Sequence, residues 1–195
     1  MPLAIPLTVL LALATPLQAP ADDRAAAAVA PVLGDEVAVV VHLNLMTWDA
    51  RATLRSVLGE LADEELVRSA TKAAGAWADA LKRAGARDLF VLIDLADMPG
   101  LPVAAVPLAG GADGAAIARV LSGGGLDAPV RWPAVETIRG AVIAGTPEAV
   151  ARIRAAEPGE RPEVAAALAA GGEAPVRVAI APTPTLRRAL EESVA

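Results

Sequence analysis

Cysteine and tyrosine are absent from this chain, histidine and phenylalanine occur once each, and aromatic residues make up only 2% of it. Without cysteine there is no disulfide framework, no thiolate nucleophile, no Cys-based metal site and no lipid-modified cysteine. With a single histidine, any Ser-His-Asp arrangement would have to use His42 as its base. Trp48, Trp77, Trp132 and Phe90 are too few to fill a core, so the interior has to be aliphatic, with helices drawn together through small side chains. Positive charge is also scarce: 17 basic residues stand against 23 acidic ones, a net charge of −6. That balance argues against nucleic acid as a partner and against attachment to anionic lipid by charge.

Aliphatic residues are abundant. The hydrophobic share is 55%, much of it alanine. The first long apolar run, at 3–17, is shorter than the roughly 20 residues needed to span a bilayer, and Pro6 and Pro16 interrupt it. Ala19 and Ala21 then supply the A-x-A pattern of a cleavage site. The run therefore reads as an export signal, although no Lys or Arg precedes it and only the terminal amine provides positive charge. The alternative is a first helix that is never removed. The expected organisation is a signal peptide at 1–21, a flexible segment at 22–34 and a single α+β domain at 35–195. The expected location is exported, periplasmic or extracellular, with no stable membrane anchor once the signal is cleaved.

Downstream, β-branched and aliphatic runs predict strands at 37–43, 88–95, 103–108, 134–138, 141–144 and 176–181. Thr47 is a candidate cap for a helix carrying Leu54, Val57, Leu58 and Leu61. A second helix over 63–84 aligns Leu66, Ala70, Ala73, Trp77 and Leu81, with Glu64–Arg68 and Asp79–Arg83 spaced for ion pairs. Asp113 caps a helix with Ile117, Val120 and Leu121, and Thr146-Pro147-Glu148 is a strong helix start. Further helices are expected at 162–170 and after Thr183-Pro184, the last with Leu186, Leu190 and Val194 on one side. Arg139-Gly140 between two short strands is a hairpin signal.

This succession predicts a ferredoxin-like βαββαβ antiparallel sheet with helices mainly on one face, extended by a strand-helix-strand-helix segment. From about residue 172, Gly172-Glu173-Ala174-Pro175-Val176-Arg177-Val178-Ala179-Ile180 loosely repeats Gly34-Asp35-Glu36-Val37-Ala38-Val39-Val40-Val41. An incomplete second repeat is expected there.

Residues that could carry chemistry are few. His42 alternates within the first strand and is placed on an exposed face of a one-sided sheet. None of Ser56, Ser69, Ser122 and Ser193 lies in a G-x-S-x-G elbow. Asp35, Glu36, Asp88, Asp94 and Asp97 flank or occupy strands, and Asp94 is the most unusual because it interrupts an apolar one. No calcium loop or H-E-x-x-H helix is present, and Gly110-Gly111-Ala112-Asp113-Gly114 fails both dinucleotide and P-loop spacing. Trp132 beside Pro133 reads as a lid over a sheet end or a recognition surface. His42, Asp94 and Trp132 are the functional candidates. No catalytic, cofactor or metal site is assigned, and no cofactor is expected.

The 37–43 strand, the turn Val142-Ile143-Ala144-Gly145-Thr146-Pro147-Glu148-Ala149-Val150 and the strand end Ala179-Ile180-Ala181-Pro182 resemble exported bacterial proteins of unknown function, particularly those of planctomycetes. The resemblance implies no catalytic residues. Members of that class usually continue further, so a fragment or a shortened form is expected. The function anticipated is a non-enzymatic binding or structural module with a protein or small-molecule partner. The competing expectations are an extracytoplasmic hydrolase using Asp94 or His42, and a carrier of small apolar ligands. The first requires those side chains to converge in a pocket; the second requires an internal cavity.

Overall fold

A computed structural model describes residues 24–58, 63–94, 100–124, 130–159, 161–185, 188 and 192. The proposed signal at 1–21 lies outside them, as do Leu186, Leu190 and Val194 of the expected last helix. No helix of the described residues is long and apolar enough to cross a membrane.

The elements run α1 (Arg24–Val29), β1 (Val37–Asn44), α2 (Ala50–Leu58), α3 (Glu64–Arg83), β2 (Asp88–Asp94), β3 (Val103–Pro107), α4 (Gly114–Leu121), β4 (Ala134–Ile138), β5 (Ala141–Gly145), α5 (Pro147–Ala155), α6 (Pro162–Ala170) and β6 (Val176–Ile180). The six strands form one sheet in the order β4-β5-β3-β2-β1-β6, and every neighbouring pair is antiparallel. Mixed α+β architecture and an antiparallel sheet thus agree with expectation, but the order is not that of a simple ferredoxin-like fold. The reason lies in the first connection. One crossover helix would deliver the chain to the far end of β1, ready for a parallel strand. Here α2 and α3 form an out-and-back pair, and β2 starts beside the end of β1, with Asp88 opposite Asn44.

Helices cover both faces of the sheet, where one was expected. On the first face Val40, Phe90, Leu92, Val103, Ala105 and Ile143 pack with Val29 of α1, Val150 of α5 and Val164 and Leu168 of α6. On the second, Leu89, Ala104, Val106, Val142 and Ala144 pack with Trp77, Ala78 and Leu81 of α3 and Ile117 and Leu121 of α4. Consecutive apolar residues at 103–106 and 141–144 are all buried, which requires cover above and below the strand. The segment at 22–34, expected to be a flexible lead-in, contributes α1 and a 3-10 turn over Ala30–Val32. Ala25, Val29, Val32 and Leu33 are buried in the first core, because a sheet with two apolar faces needs this additional cover.

Local chemistry sets most boundaries. Asp63, Asp113 and Thr146 cap α3, α4 and α5 through side-chain oxygens that accept backbone N–H bonds. Asp49, and not Thr47, holds the start of α2, accepting from the amides of Arg51 and Ala52 at 2.9 and 3.0 Å. Thr47 belongs to the turn leaving β1, its amide bonded to the Asn44 carbonyl. In α3 the buried side chains are Val67, Trp77, Ala78 and Leu81, whereas Leu66 is 47% exposed. The helix also packs along α2, and its contact with the sheet core begins at Trp77. Asp79 pairs with Lys82 at 2.7 Å, and that hydrogen bond and charge hold its carboxyl below the usual aspartate range.

Gly85 ends the α3 region in the left-handed conformation, φ +87°, and a Cβ there would lie 2.9 Å from the Ala112 backbone. Both constraints oppose a side chain. Gly85→Ala is expected to lower stability by about 2 kcal/mol, measured by urea unfolding.

Candidate functional site

The first core is incomplete at one end. Between the approach to β1, the ends of β2 and β3, and α5 lies a cleft of about 450 Å³. Val32, Leu33, Val37, Leu92, Val103 and Ile153 give it an apolar lining, and Asp35, Glu36 and Glu157, all exposed, put carboxylates around it. Asp94 is on its wall, mostly buried, with an oxygen 3.7 Å from the Arg152 guanidinium. The sequence marked Asp94 because it breaks an apolar strand. It terminates β2 where the apolar lining meets polar groups.

Two arginines fix the walls. Arg139 occupies the β4-β5 hairpin with φ 49°, followed by Gly140 at φ 77°, the left-handed pair of a type I′ turn. A non-glycine residue is disfavoured in that region, and the side chain supplies the compensation. Its guanidinium donates to the carbonyls of Pro31, Ile153, Arg154 and Ala156, satisfying the exposed end of α5 and tying it to the segment before β1. Arg161, 8% exposed, donates from Nη1 to the carbonyls of Gly34, Asp35 and Val37 and from Nε to Glu163. It anchors the opposite side of the same segment to the start of α6.

His42 is not on an exposed face. It is fully buried on the α6 side of the sheet, in ring contact with Phe90. The sequence signal was ambiguous because alternation marks an exposed side only when one face of the sheet meets water. Arg177 Nε donates to His42 Nδ1 at 3.0 Å; a guanidinium can only donate, so the ring proton is on Nε2 and is given to Asp88 Oδ1 at 2.8 Å. Arg177 Nη1 also donates to the Leu168 carbonyl near the end of α6. Both ring nitrogens are therefore committed, in a chain that joins β2, β1, β6 and α6.

Trp132 is buried on the other face, its Nε1 donating to the Pro102 carbonyl at 2.9 Å and its ring 6.3 Å from that of Trp77. The three sequence candidates do not converge. Asp94 is paired with Val37 at one end of the β1-β2 ladder, and His42 is opposite Phe90, four residues back along β2 or roughly 13 Å away. The geometric condition for a hydrolase at these residues is not met among the described residues. Nor do three His, Asp or Glu side chains gather there as a metal-binding set. No family model, curated protein or solved structure matches the chain.

A second, more open depression of about 300 Å³ lies between the start of α2 and α3, bordered by Trp48, Asp49, Arg51, Asp79 and Lys82. The cleft at Asp94 is larger, apolar and held by a specific network. Its most informative residues, Arg139 and Arg161, were missed in the sequence. The available signal was an arginine in a tight hairpin position and an arginine directly before a proline-initiated helix.

Proposed function

We propose that this protein is an exported, non-enzymatic binding module whose cleft beside Asp94 receives the apolar part of a small amphipathic ligand. The resemblance to exported planctomycete proteins and the signal-like run at 3–17 support the location; the cleft supports the activity. The carrying observation is an apolar recess of about 450 Å³ bordered by carboxylates and by the Asp94–Arg152 pair. An apolar recess with a few placed polar groups is the usual form of a small-molecule site. Asp35, Glu36, Asp94 and Glu157 outnumber Arg139 and Arg152 around it, and the Arg139 guanidinium is spent on carbonyls. A ligand with a neutral or cationic head is therefore favoured over an anion.

The test is a titration with the neutral fluorophore N-phenyl-naphthylamine. Wild-type protein is expected to enhance its emission saturably. Ile153→Trp, which fills the recess from α5, is expected to weaken binding at least tenfold with an unchanged circular dichroism spectrum. Absence of enhancement, or a titration unaffected by the tryptophan, overturns the reading.

A further inference from the structure

β6 closes one end of the sheet and pairs only with β1 among the described residues. Two bonds set the phase of that ladder: Asn44 N–H to the Pro175 carbonyl and Ala181 N–H to the Ala38 carbonyl, both 2.9 Å. In an antiparallel ladder alternate residues turn their backbone groups to the same neighbour. Arg177 and Ala179 thus bond β1, while the N–H and C=O groups of Val176, Val178 and Ile180 point off the sheet. No described residue pairs with them.

Exposed edges are ordinarily guarded by proline, charge or irregularity. The opposite edge follows that pattern: Pro133 precedes β4, and its Glu136 carries a paired charge with Arg154. Pro175 precedes β6 in the same way, but it faces β1, where its carbonyl accepts from the Asn44 N–H; no proline lies within Val176–Ile180, and the one charged side chain of the strand, Arg177, is turned inward to His42 and the Leu168 carbonyl. On the face away from α6, the rows Ile93-Val39-Ile180 and Val91-Val41-Val178 run across three strands. These side chains are only partly buried, and Ile180 is 50% exposed.

We propose that β6 is a homodimer edge, pairing antiparallel with β6 of a second copy about a two-fold axis at Val178. The sequence of the strand favours its own copy. In that register Val178 meets Val178, Val176 meets Ile180 and Arg177 meets Ala179, so every apolar residue on the exposed face meets another and no like charges oppose each other. The outward backbone groups of Val176, Val178 and Ile180 become ladder bonds, and the half-covered apolar rows continue across the axis.

Sedimentation of the full chain, combined with amide exchange, tests this. At about 100 μM wild type is expected to sediment as a dimer, with slow exchange at the amides of Val176, Val178 and Ile180. Val178→Lys places charges face to face at the axis, and Val178→Pro removes an outward donor without touching the β1 ladder. Both variants are expected to be folded monomers, with those edge amides exchanging at least tenfold faster in Val178→Lys. A wild-type monomer at that concentration overturns the proposal and leaves the edge to a strand from another protein. A dimer that persists in both variants, or forms without edge protection, overturns it as well.

Discussion

Arg161→Ala is expected to lower unfolding free energy by about 3–5 kcal/mol, the range for breaking a buried charge network from one side. The side chain is 5% exposed and donates to three carbonyls in four residues, those of Gly34, Asp35 and Val37. Its removal takes away all of these bonds at once. Carbonyls left unsatisfied away from water each cost on the order of 1–3 kcal/mol, moderated wherever water can enter. Arg161→Lys is expected to recover little, because one ammonium cannot reproduce a planar fork that serves Glu163 from Nε and the β1 approach from Nη1. Urea unfolding measures the loss, and a Tm lower by on the order of 10 °C would accompany it. Because the released segment also lines the cleft, N-phenyl-naphthylamine binding should weaken in the alanine variant at temperatures where it remains folded. A loss below 1 kcal/mol would mean that the network contributes nothing beyond packing.

His42→Phe is the second large effect, about 3 kcal/mol of destabilisation. The substitution keeps an aromatic ring beside Phe90 but supplies neither an acceptor for Arg177 Nε nor a donor for Asp88. The charges at either end are then left without the neutral ring that links them. Asp88 retains partial access to water, at 20% side-chain exposure, and this limits the cost at that end. A double-mutant cycle with Asp88→Asn and Arg177→Met isolates the coupling. The expected result is strongly non-additive losses, since the three side chains form one chain of bonds. Additive losses would show that the pairs are energetically independent.

The strands were legible because each is a short β-branched or aliphatic run, and a 5- to 8-residue run of that kind has few alternatives. Caps at Asp63, Asp113 and Thr146 were legible because capping needs only neighbours in sequence. Strand order was not, since it depends on whether α2 and α3 act as one crossover or as a returning pair. The two-sided sheet did leave a trace: four successive apolar residues at 103–106 cannot all be buried by cover on one face. For the site, Asp94 was legible as an oddity within its strand. His42 was misplaced for want of that two-sided reading, and Arg139, Arg161 and Arg177 act on carbonyls or side chains supplied mainly by distant parts of the chain.

The position of β1 has a consequence for folding order. Its neighbours are β2, next in the chain, and β6, the last strand described, so the first strand is enclosed only when the last arrives. Such distant closure is slow relative to local hairpins, and until it happens β1 presents a bare valine-rich border. The β4-β5 hairpin can assemble alone, but a nascent chain that ends before residue 176 has no strand to bond the outward backbone groups of Val40 and His42. Completion of the sheet therefore waits for residues 176–180, and the interval before they arrive is when a chaperone would find β1 accessible.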